Sequence, residues 1–184
     1  MKYLLIPLFL GAGGAAAGCP PTKDISSRLQ SLIESARAAP DEPTGRTVSA
    51  EMWKLWLDAP DASAQEVLDR GMRARASFDF AGAVEAFTRL INYCPDYAEG
   101  YNQRAFVAFL SEDYAAALVD LDKALELSPD HVGAQSGRAL TLMNLGRLPE
   151  ARVQLLDALE NNPWLSERFL LSEGAPLASV SKDI

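Results

Sequence analysis

The sequence is poor in the side chains that do chemistry. It holds one histidine, His131, and two cysteines, Cys19 and Cys94, in 184 residues. A single His excludes a multi-His metal site within one chain and argues against histidine-dependent catalysis. His131 itself follows Pro129 in a turn and reads as a solvated turn residue. There is no Gly-rich phosphate loop, no G-x-S-x-G elbow and no His/Cys ligand cluster. The carboxylates Asp120, Asp122 and Glu126 read as ordinary charges on a helix. The expectation is therefore a chain with no catalytic residue, no metal and no cofactor. No apolar run reaches the ~20 residues of a spanning helix. Basic residues are also short, 17 against 25 acidic, for a net charge of -8. That balance repels phosphate backbones and speaks against nucleic acid as a partner. The 48% apolar and 23% charged residues suit one soluble globular or repeat domain.

What the chain does have is a ruler. Pro95, Pro129 and Pro163 are each 34 residues from the next. The same step carries Gly71 to Ala105 to Ala139, Ala83 to Ala117 to Ala151, Phe87 to Leu121 to Leu155, and Leu90 to Ala124 to Ala158. Periods of this size mean stacked supersecondary units, because two helices cannot bury their apolar faces alone. Each unit reads as helix, short turn, helix: 64–77 and 79–93, then 98–110 and 113–127, then 132–145 and 149–161. Asp61 to Ser63 cap the first of these helices. Pro149 suits a first helical turn and Gly146 the position just past a helix end. The small residues mark tight helix crossings, and a short final helix over 164–171 covers the open end. The tail from 174 to 184 reads as loose.

Upstream, residues 1–18 read as an export signal, with Lys2 as a minimal basic region, an apolar stretch to Leu10, and small residues to Gly18. Residues 19–63 form a helical hairpin. Its first helix spans 24–39, with Ile25, Leu29, Leu32 and Ile33 on one face. A break runs from Pro40 to Gly45, and a second helix spans 50–59, with Ser49 as N-cap and Met52, Trp53, Trp56 and Leu57 as an apolar stripe. Both tryptophans read as core. The hairpin has the layout of a degenerate repeat capping the stack. Cys19 admits three readings. In an exported chain it pairs with Cys94, closing a loop of 75 residues, a cross-link contributing ~3–4 kcal/mol in the loop-entropy model. Alternatively Ala16-Ala17-Gly18-Cys19 resembles a bacterial lipobox, departing from it at Ala16, and Cys19 carries a lipid; only then is the membrane a partner. Or both thiols are free.

The repeat columns resemble the tetratricopeptide repeat family over 64–165. The resemblance rests on the small residues Gly71, Ala105, Ala139, Ala83, Ala117, Ala151, Ala124 and Ala158 and on the closing Pro95, Pro129 and Pro163; Leu90 is larger than the family pattern. It implies an all-α fold, a right-handed superhelical stack of antiparallel helix pairs. Three regular units, 64–97, 98–131 and 132–165, follow the N-terminal hairpin and precede the C-terminal cap at 166–184. It also implies a concave groove that holds a protein or peptide partner. The stripe one residue's rotation from the small residue faces that groove. It comprises Leu68, Met72 and Arg75 in the first unit, Asn102, Gln103, Phe106, Phe109 and Leu110 in the second, and Ser136, Leu140 and Met143 in the third. The N-terminal helices or the tail could instead fill it. The family's usual Leu is Arg70, Arg104 and Arg138 here. Arg104 wants an acid, and Asp120 is its candidate partner in a structural ion pair. The reading is an exported, periplasmic scaffold, or else an envelope lipoprotein anchored at Cys19.

Overall fold

The computed structural model describes residues 18–178. The export-signal reading and the end of the tail fall outside the described residues. Among the described residues there are eight α-helices and no strand. The regular pairs are α3 (Ala62–Ala76) with α4 (Phe80–Tyr93), α5 (Ala98–Leu110) with α6 (Tyr114–Leu127), and α7 (Val132–Asn144) with α8 (Leu148–Asn161). Each pair packs mainly within itself, and α4 on α5 and α6 on α7 carry the stack from unit to unit.

Local chemistry fixes the boundaries. Asp61, Asp79 and Asp113 each accept a hydrogen bond from the backbone N–H three residues on, at 2.8, 2.9 and 3.1 Å, satisfying one orphan donor of the helix start. The turn inside each unit needs a left-handed residue, and the 34-residue ruler places it at Phe78, Glu112 and Gly146, with φ of 62°, 60° and 75°. Only the third is glycine, which takes that conformation without strain. The small positions do what close packing requires. A Cβ added to Gly71 would sit 2.4 Å from the ring of Phe87, which is fully buried with Ala83, Leu90 and Cys94 in the core of the first unit.

The N-terminal hairpin departs from its expected shape and place. Its helices are α1 (Ser26–Ala38) and α2 (Glu42–Trp56). The break between them is short. Asp41 caps α2 by accepting from Thr44 N–H at 2.9 Å, and Pro43 sits in the first turn, where no N–H is needed. Ser49 is therefore inside the helix rather than at its cap, and Gly45 is a helical residue. Nor does the hairpin lie on the outer side of the first unit as one more brick. It folds back so that α1 rests against α8 in the third unit. Leu29, Leu32, Ile33, Ala36, Met52 and Trp56 form one core with Val132 of α7. Trp164 donates its indole N–H to the Ala36 carbonyl at 2.9 Å, and its ring lies so close to Gly45 that a Cβ there would be 2.1 Å away. Asn162 bonds Ser49 Oγ at 2.7 Å, and Arg168 pairs with Glu42 at 2.8 Å.

The other end of the hairpin is held covalently. Cys19 and Cys94 form a disulfide across 75 positions, with Cα atoms 5.2 Å apart. The chain from Cys19 to α1 thus runs from the first unit towards the third, and the hairpin spans the stack.

The C-terminal segment differs too. Residues Ser166–Leu171 form a 3₁₀ helix, and the tail up to Ala178 is docked. Leu177 is fully buried among Ala139, Leu142, Ala151, Leu155 and Leu170, its N–H bonds the Leu170 carbonyl at 2.9 Å, and Arg152 donates to the carbonyls of Leu177 and Ala178. One buried leucine and two capped carbonyls suffice to hold a stretch whose Gly and Ser content reads as loose.

Two of the three arginines tie neighbouring units together, and Arg104 meets the acid expected of it. Arg104 grips Asp120 with two hydrogen bonds, 2.7 and 2.8 Å, and reaches Thr88 Oγ1 at 3.1 Å. Arg138 repeats the scheme with Asp122 at 2.6 Å and Gln154 at 3.0 Å. Each guanidinium therefore ties the second helices of two successive units. Arg70 lacks this partner because Ala86 occupies the corresponding position, and it pairs instead with Glu66 one turn back at 2.9 Å. The Asp120 hydrogen bond holds Arg104 above its ordinary pKa against the effect of burial. Because the site is partly wet, the coupling should be about 1 kcal/mol. A double-mutant cycle of Arg104→Met and Asp120→Asn in urea melts should show it, and additive losses would remove the pair.

Candidate functional site

The first helices of the three units, α3, α5 and α7, line the concave side. Met72, Arg75, Asn102, Gln103, Phe106, Phe109, Ser136 and Leu140 of the expected stripe come together around one cavity of about 350 Å³. Three others of the stripe do not join them. Leu68 is completely buried in the core of the first unit, packed with Ala64 and Phe87. Met143 packs against the core of the third unit. Leu110 is exposed but stands outside the cavity. A fixed rotation from the small residue places a side chain at the right angle but ignores what covers it.

The cover is the hairpin. Trp53 and Leu57 supply a wall of the cavity. Trp53 approaches α7 so closely that a Cβ on Gly133 would be 2.4 Å from its ring. The hairpin thus narrows the groove without closing it: Phe106 keeps 44% of its surface exposed. Gly133 on α7 is the trace in the sequence of this close approach, but nothing local names Trp53 as what approaches.

Beneath Trp53 lies a buried polar chain that sequence reasoning missed. His131 is not solvated; it is fully buried. Its ring stacks on Trp56, centroids 4.2 Å apart and planes 10° from parallel, and Trp53 meets it edge-on at 5.9 Å. Its Nδ1 accepts from Ala134 N–H at 3.3 Å, capping α7, so the ring proton sits on Nε2 and is donated to Glu99 at 2.7 Å. Glu99, also buried, accepts from Asn102 at 3.0 Å and from Gln103 Nε2 as well. Gln103 Oε1 in turn accepts from Arg75, whose guanidinium lies over the Phe106 ring, 4.6 Å from its centroid. Tyr97 adds a tie by donating its hydroxyl to the Trp56 carbonyl, and its burial raises its pKa above the ordinary phenol value. These bonds hold Asn102, Gln103 and Arg75 in fixed rotamers at the cavity floor. They also leave both ring nitrogens of His131 partnered inside the fold.

The stacked helix pairs have the fold of a tetratricopeptide-repeat solenoid, with a concave cavity between their first helices. Residues 108–164 match the family model described as tetratricopeptide repeat. A TPR repeat-containing protein of Rhizobium etli is 28% identical over 143 residues, covering 78% of this chain and 65% of its own. The tetratricopeptide repeat protein 36 homolog of Nematostella vectensis is 40% identical over 76 residues, covering 41% of each chain. Among solved structures, the TPR2B domain of yeast Sti1, in a complex with pHsp70, superposes with a TM-score of 0.54 at 27% identity, covering 55% of this chain and 81% of that one. The chain thus spans 65% and 41% of the lengths of the two curated relatives.

Proposed function

We propose that the whole chain is a non-catalytic tetratricopeptide-repeat scaffold, and that it binds a segment of a partner protein on the concave face. The observation that carries this is the cavity between α3, α5 and α7. It combines an exposed aromatic, Phe106, with a floor whose polar groups are held from behind by Glu99. Large aromatic anchors over rigid, satisfied polar groups are what interface hot spots are made of. The solved TPR2B domain of yeast Sti1, in its complex with pHsp70, lends the reading support. Phe106→Glu places a charge in the apolar mouth. A pull-down with this variant should lose the partner that wild type retains, with the helical signal unchanged; an identical partner set would exclude the groove.

The scaffold reading includes export to an oxidising compartment such as the periplasm. A disulfide that closes most of the first half of the chain suits such a place. The lipoprotein alternative needs the same Cys19 sulfur for a thioether, so disulfide and anchor are mutually exclusive in one molecule. Mass spectrometry of the mature N-terminus separates them: two missing thiol hydrogens select the bridge, a diacylglycerol mass on Cys19 the anchor.

A further inference from the structure

Resting on that reading, we infer that Arg75 is the specificity residue of the concave cavity: it takes one side-chain carboxylate, an Asp or Glu flanked by apolar residues, from the partner segment. Arg75 differs from Arg104 and Arg138, which meet Asp120 and Asp122 directly. Among the described residues no carboxylate pairs with Arg75; its contact is an amide oxygen, that of Gln103. Glu99, the acid that pulls on it, is one amide removed and already serves Asn102, Gln103 and His131. The guanidinium is half-buried, and burial pushes its pKa below the ordinary value against the pull of Glu99. Stacking on Phe106 and the Gln103 bond fix its plane, which leaves further N–H donors for a bidentate partner. The cavity it lines has apolar walls that include Met72, Leu57, Phe106, Phe109 and Leu140. A held, incompletely compensated cation in apolar walls selects a carboxylate on an apolar segment.

Size and charge decide which carboxylate. At about 350 Å³ the cavity is at the small end of ligand pockets. It suits a few side chains from a segment whose backbone runs along the mouth, so the acid is assigned to a side-chain stem. The other charged residue lining the cavity is Glu167, an acid, and the chain carries a net charge of -8. A run of acids would meet repulsion there, which limits the segment to one.

The test uses the full disulfide-bonded chain. Random heptapeptides displayed with neither end free are selected against it, and winners are resynthesised with acetyl and amide ends for titration calorimetry. Winners should carry one Asp or Glu beside Leu or Phe. Changing that acid to its amide should weaken binding by about tenfold or more, as should Arg75→Gln, and the two losses should not add; Arg75→Lys should retain part of the affinity. Winners without an acid, an acid whose removal costs the same with and without Arg75, or binding only by peptides with a free C-terminal carboxylate would each overturn the assignment, while loss in Phe106→Glu would still support the concave face. Winners indifferent to Phe106→Glu, or no winners, would overturn both. If Arg75→Gln fails to fold by circular dichroism, Arg75→Lys with the acid-to-amide peptide pair carries the cycle.

Discussion

Glu99→Ala should destabilise the fold by about 3–5 kcal/mol, among the largest losses available to a single substitution. Glu99 is almost fully buried and accepts from three separate donors, Asn102 Nδ2, Gln103 Nε2 and His131 Nε2. Removing the acceptor strands all three, each at about 1–3 kcal/mol where water cannot replace it. Relaxation recovers part of the sum, because Gln103 can turn towards Arg75 and Asn102 towards the cavity. Glu99→Gln keeps the volume but offers one accepting oxygen, and sets its own amide hydrogens against a donor, so about half that loss is expected. Urea melts measure both. Because Gln103 loses its anchor, Arg75 should also lose its fixed plane, and the concave face should bind more weakly even where the fold persists. A loss under about 1 kcal/mol in Glu99→Ala would mean that the network is decorative.

Reducing or removing the Cys19–Cys94 bridge is the second large effect. It closes a loop spanning 75 positions, which in the chain-entropy model contributes about 4 kcal/mol. For a chain of this size that corresponds to a fall in Tm of roughly 8–16 °C. The loss should not be uniform. The first unit keeps its core of Phe87, Leu68 and Leu90 without the bridge, whereas residues before α1 are then held by the exposed Lys23–Asp58 pair at 2.5 Å and by Ile25 on the hairpin core. Hydrogen exchange on Cys94→Ala should therefore rise first in α1 and α2. Exchange rising first in α3 and α4 would mean that the bridge stabilises the repeats rather than the hairpin.

Both effects lie where the hairpin meets the repeats, and that junction is where reading the chain in order stops short. The repeat units are encoded locally. A small residue at a crossing, an Asp before a helix and a proline after it each act within a few residues, and a 34-residue period repeats them often enough to be read. The Arg104–Asp120 pair was legible for the same reason: a step of 16 positions between neighbouring helices is fixed once the period is known. Pro43 misled because a proline in the first turn of a helix and a proline in a break look alike without the cap at Asp41.

The sequence by itself determined the all-helical stack and its unit length, and it offered the Cys19–Cys94 bridge as one of three readings. Only the tertiary structure decided that the hairpin folds back over the concave face, that Trp56 seals His131 against Glu99, and that Leu68 is lost to the core while Trp53 joins the cavity wall. Those contacts bridge residues such as Gln30 and Asp130, or Ala36 and Trp164, 100 and 128 positions apart. No periodicity links such residues; what brings them together is the apolar surface that α1 and α2 cannot hide between themselves and must bury on whatever neighbour the chain can reach.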